Sequence, residues 1–121
     1  MTFNANNARG NLEEIPGLDQ PGFSGLYQYH AKSGITTLLT KDIVTPNGIA
    51  ISDDRLIVSN CNFTSQELWE FDIIEDSSVS NPRLLISFTG KFKEKGNPDG
   101  FDIDEIGNIW TSGPGGLLII R

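Results

Sequence analysis

Apolar residues along this chain fall in short alternating runs, each closed by glycine, proline, asparagine or aspartate. Leu26 to Tyr29, Ile35 to Leu39, Leu56 to Ser59, Leu68 to Phe71, Arg83 to Phe88, Ile109 to Ser112 and Leu117 to Ile120 have the length and the period-two patterning of strands. Helical spacing is scarce. The pattern predicts an all-β fold in which turns punctuate many brief strands.

The runs repeat. Pro46-Asn47-Gly48-Ile49-Ala50-Ile51-Ser52-Asp53 and Pro98-Asp99-Gly100-Phe101-Asp102-Ile103-Asp104-Glu105 share Pro, an Asn or Asp, Gly, an apolar residue, any residue, Ile and a polar residue. Each continues into a second strand, Leu56-Ile57-Val58-Ser59 or Ile109-Trp110-Thr111-Ser112, with Gly107 as an extra turn residue in the later copy. Leu26-Tyr27-Gln28-Tyr29 likewise matches Leu68-Trp69-Glu70-Phe71, and Gly116 to Ile119 begins a third copy. The unit is two hairpins, four strands, recurring about every fifty residues, which is the signature of a propeller blade.

Counted this way the chain supplies about two and a half four-stranded blades, a partial β-propeller. The expected divisions are a loop over 1–22, a half blade over 23–45, a full blade over 46–97 and a half blade over 98–121. The strand ending at Ile120 lacks its expected neighbour. Such open blade edges predict either a longer polypeptide or self-association.

Charge narrows the choice of partner. Sixteen acidic against nine basic residues give a formal net charge of -7, which repels nucleic acid and anionic lipid and tolerates a cation site. The opening residues show no signal peptide and no apolar run approaches the length of a membrane span. A single cysteine, Cys61, favours a reducing, cytoplasmic setting, in which the Asn62-Phe63-Thr64 triplet reads as coincidence.

In a propeller the first strand of each blade is innermost, so repeat-equivalent residues at its entrance share one height around the central channel. Asn47 and Asp99 hold that place in adjacent blades. An amide carbonyl and a carboxylate converging there suit a hard divalent cation, calcium or magnesium. Pro-Asn-Gly and Pro-Asp-Gly are also common turns that need no ligand to explain them. Asn60, at the end of the following strand, is a weaker candidate for touching substrate, with a turn role as the simpler reading. His30 stands alone, so no zinc cluster or Ser-His-Asp constellation can be assembled. Trp69 and Trp110 read as blade packing, and Lys91 to Lys95 as a solvated loop.

The elements PNGIAIS, LIVSN, LWEFDI and NPDGFDIDEIGNIWTSGPGG resemble the second half of a six-bladed propeller of the gluconolactonase/SMP-30/luciferin-regenerating family, from about Pro21 onward. The resemblance implies a calcium-dependent hydrolase of sugar lactones or similar cyclic esters, with magnesium, manganese or zinc as alternative cations. It matches Asn47 to a metal ligand and Asp99 to a ligand that also acts in hydrolysis. A family Glu and a further Asn or Asp have no counterpart here, since Glu13 and Glu14 fall in the wrong blade. The expected metal site is therefore incomplete within this sequence. The alternative is a non-catalytic propeller piece serving in binding or assembly.

Overall fold

The computed structural model describes residues 2–3, 24–61, 65–75 and 78–121, with the backbone alone for Thr2 and Phe3. The N-terminal loop expected over 1–22 lies outside the described residues except at Thr2 and Phe3, and so does the Asn62 to Thr64 triplet. The described residues form three antiparallel sheets. The first orders β1 (Thr2–Phe3), β2 (Gly25–His30) and β3 (Ile35–Thr40) side by side. The second runs β4 (Pro46–Ser52), β5 (Arg55–Cys61), β6 (Gln66–Ile74) and β7 (Ser78–Ser87) in sequence order. The third contains β8 (Phe101–Ile103), β9 (Ile109–Gly113) and β10 (Gly116–Ile120).

Local chemistry sets the hairpins. Ser52 pairs with Arg55 across a two-residue turn in which Asp53 takes a φ of 53°, a left-handed conformation that aspartate tolerates better than most residues. In the repeat copy Ile103 pairs with Ile109, and the longer turn places its extra residue, Gly107, at a φ of 90°. Asp104 closes that turn. Its carboxylate accepts hydrogen bonds from the Trp110 indole at 3.0 Å, the Asn108 side chain at 2.8 Å and the backbone N–H groups of Ile106 and Asn108.

β7 begins earlier than the apolar run from Arg83 predicts. Its first half, Ser78-Val79-Ser80-Asn81-Pro82, is polar and contains a proline, which hides a strand from pattern reading. Proline fits because β7 is the edge of its sheet and need not donate outward. Asn81, at a φ of 53°, marks the irregularity where pairing with β6 slips between Glu70 and Asp72. Thr2 and Phe3 also pair with Leu26 and Gly25, a strand that the sequence pattern does not announce.

The three sheets stack through β5 and β6. Leu56, Val58 and Phe71 pack on Leu26 and Ile43 of the first sheet and its following loop. Ile57 and Leu68 pack on Ile109 of the third. Both faces of the middle sheet are thus occupied, and alternate residues of one strand serve different neighbours. Each such side chain contributes about 1.5–3 kcal/mol of burial. Glu70, also buried, is paired with Arg55 at 2.9 Å and Arg83 at 2.8 Å, and Arg83 reaches Asp72 at 2.6 Å. On the far side of the third sheet Trp110, Leu117 and Ile119 remain exposed.

The donors around Asp104, the Trp110 indole foremost, hold its carboxyl down from 3.8 to about 2. A carboxyl depressed in the folded state adds stability that is full above 3.8 and is lost as the pH falls toward about 2. Carbon-detected NMR titration is expected to place the Asp104 midpoint near 2. Thermal melts of Asp104→Ala should show a smaller decline than the unsubstituted chain between those pH values.

Candidate functional site

The end of β4 is built to step out of its ladder. Pro46 pairs with Asn60 and regular pairing resumes only at Ile49 with Val58, so Asn47 and Gly48 form a bulge. The chain entering it is pinned to β5. Cys61 N–H donates to the Thr45 carbonyl at 3.0 Å, and Thr45 N–H donates to the Asn60 side-chain oxygen at 3.0 Å. The bulge leaves the Gly48 N–H without a ladder partner, and Ser59 Oγ accepts it at 2.6 Å. The Asn47 side chain is exposed.

Asp99 is held by the same residue type. Its N–H donates to Ser112 Oγ at 3.0 Å, and its carbonyl accepts from Ser59 Oγ at 2.9 Å. Ser59 and Ser112 are repeat equivalents, the serines of LIVSN and IWTSG. One therefore fixes Asp99 from its own sheet and the other from the sheet before. The approach loop is anchored as well. Gln66 Nε2 donates to the Gly96 carbonyl at 3.1 Å and to Asn97 Oδ1 at 2.6 Å, and Gly115 N–H donates to the Lys95 carbonyl.

The two turns touch. A Cβ built on Gly48 would run into the Asp99 carbonyl oxygen and crowd the Phe101 ring, so only glycine admits this approach. Cys61, buried beside them, registers both side chains. Its thiol is pushed up first by burial and next by the negative charge of Asp99, while a hydrogen bond with the Asn47 side chain opposes the rise. Lys95, Asn97, Asp99 and Ser112 line an open cleft of about 560 Å³ at this end of the third sheet.

The other candidates are placed as follows. Asn60 is buried on the face of β5 opposite Ser59 and Cys61, and its amide donates to Glu67 at 3.1 Å besides accepting from Thr45. Glu67 also accepts from the indole of Trp69, whose ring packs against the core between the first and second sheets. Trp110 lies half-exposed with its indole on Asp104. His30 is exposed beside Ser33. Among the described residues no group of three or more His, Cys, Asp or Glu side chains could gather on a metal ion. Ser59 and Cys61 carry no motif of their own. The one signal for Ser59 in the sequence is its recurrence as Ser112 in the matched copy.

Small antiparallel sheets stacked face to face, with repeat-equivalent turns meeting at one end, define a β-propeller arrangement. Over 84% of this chain and 37% of the other, it superposes on the solved structure of a luciferin-regenerating enzyme with a TM-score of 0.62 and 26% sequence identity. The family model described as the SMP-30/Gluconolactonase/LRE-like region matches residues 2–121, and the chain belongs to that family. It is also 30% identical over 114 residues to a gluconolactonase of Zymomonas mobilis subsp. mobilis, covering 90% of this chain and 32% of that protein. The chain thus spans about a third of the length of these relatives.

Because Gly48 admits no Cβ, Gly48→Ala should force β4 and the Asp99 turn apart, at a cost of about 1–3 kcal/mol. Chemical denaturation would read the loss. Amide chemical shifts should move at Asn47, Ser59 and Asp99 but stay in place around Gly107, where the turn is open.

Proposed function

We propose that this sequence contributes part of the active site of a divalent-cation-dependent hydrolase of sugar lactones or related cyclic esters, with Asn47 and Asp99 among the cation's ligands. The observation that carries the reading is the contact between the Pro-Asn-Gly and Pro-Asp-Gly turns, bridged by Ser59. The family and the similarity to a gluconolactonase support the substrate class.

The donor chemistry fits. An amide oxygen and a carboxylate, both on exposed side chains, are hard ligands of the kind calcium prefers. Bound there, the cation supplies Lewis-acid polarisation of the ester carbonyl. Asp99 then does two things: it holds the ion, and its free carboxylate oxygen accepts the proton of the attacking water. Asn47 contributes an uncharged oxygen, which adds a ligand without adding negative charge. Lys95 lines the adjoining cleft, and its ammonium group can donate to the hydroxyl groups of a sugar. Asn60 holds the Thr45 to Asn47 segment in position through its bond to Thr45.

The test is hydrolysis of a sugar lactone with and without calcium by the native polypeptide that carries this sequence. Asp99→Asn should lower turnover by about a hundredfold or more while circular dichroism is unchanged, since the equivalent turn carries Asn47. Equal, calcium-independent turnover in both forms would remove Asp99 from the mechanism. Asn47 and Asp99 would supply two of the six to eight oxygens that calcium takes, so the affinity of the 121-residue chain is expected to be millimolar by calorimetry.

A further inference from the structure

We infer that Ser59 is a positioning residue that sets the separation of Asn47 and Asp99 across the boundary between two sheets. The inference deepens the cation-site reading and rests on it for its consequence in binding, whereas the geometric part stands on the hydrogen bonds alone.

Ser59 is fully buried on the face of β5 that meets the third sheet. Its hydroxyl accepts the Gly48 N–H at 2.6 Å and donates to the Asp99 carbonyl at 2.9 Å. One oxygen atom thereby ties the residue after Asn47 to the backbone of Asp99 itself. These turns belong to different sheets, and the route between them along the chain is about fifty residues long, too indirect to fix a distance to a few tenths of an ångström. The nearest parallel is Ser112, which accepts the Asp99 N–H at 3.0 Å and donates to the Asn97 carbonyl at 3.1 Å. Ser112 therefore closes a turn within one sheet. Ser59 spans two sheets.

A hydroxyl suits this task because it offers a donor and an acceptor from one atom. Alanine at position 59 would strand both the Gly48 N–H and the Asp99 carbonyl in a part-buried place. The two turns would then settle at a separation set by packing and by whatever water entered. A cation bound through both side chains senses that change, since support of ligand geometry is typically worth about 10–100-fold in metal affinity.

The experiment uses the 121-residue chain with manganese(II) as a paramagnetic probe of oxygen ligands, read by amide line broadening. In the unsubstituted chain broadening should centre on Asn47 and Asp99 and should vanish in Asp99→Asn. Ser59→Ala should require about tenfold more manganese for the same broadening, and Ser59→Thr, which keeps the hydroxyl, should restore it to within about twofold. Without metal, the Gly48 amide should exchange with solvent at least about tenfold faster in Ser59→Ala than in the unsubstituted chain.

Failure of manganese to broaden Asn47 or Asp99 in the unsubstituted chain would overturn the cation reading, and the exchange result would still decide the role of Ser59. Unchanged Gly48 exchange and unchanged manganese affinity in Ser59→Ala would overturn the positioning role. Should Ser59→Ala not fold, the unsubstituted chain decides: a slowly exchanging Ser59 hydroxyl proton with a nuclear Overhauser contact to the Gly48 amide supports the bridge, and a freely rotating hydroxyl without that contact refutes it.

Discussion

Strand β5 has no face left for water. From Leu56 to Cys61 every residue is buried, with Leu56 and Val58 packed toward the first sheet and Ile57 toward the third. A strand in an ordinary two-layer fold buries alternate residues and wets the rest. Here burial on both faces forces three sheets into register, and that register brings two turns about fifty residues apart in sequence into contact. Loss of the sandwich would part the two turns before it altered any single side chain.

Polar atoms are admitted to this crowded strand only with partners. Ser59 shares its hydroxyl between two backbones, Asn60 spends both ends of its amide, and the Cys61 N–H meets Thr45. Apart from the Asn60 bond to Glu67, each satisfies a backbone group near the bulge at Asn47 and Gly48 or at the approach of Asp99. The irregularity in β4 and the polar end of β5 are therefore one device. Glu70 follows the same rule on the neighbouring strand, where two arginines compensate a buried carboxylate.

Much of this was legible from residue order. Strand β5 and the hairpin pairings of β2 with β3, β4 with β5 and β8 with β9 follow from alternation and from the two matched copies. The first half of β7 was not, because polar residues and Pro82 suppress the pattern on an edge strand where backbone pairing, not side-chain burial, does the holding. β1 escaped for a similar reason, since two residues cannot display a period. The proximity of Asn47 to Asp99 could be read from the repeat, but the means could not. A serine in a strand has no signature that distinguishes a bridging hydroxyl from a filler, and the need for Gly48 appears only when the third sheet is in place.

Asn47 and Asp99 share one further property: both side chains are exposed, while the backbone atoms around them are held by Ser59, Ser112 and Thr45 through its link to Cys61. What fixes Asp99 is main chain, so the identity of that side chain is nearly free of the fold, whereas the Asn47 side chain also hydrogen-bonds the buried Cys61. Exchange of aspartate for asparagine at position 99 alters the charge at this end of the sheets by one unit and leaves the backbone bonds to Ser59 and Ser112 in place. For an evolving lineage that is an inexpensive dial, one on which the local charge could drift while the scaffold stayed constant.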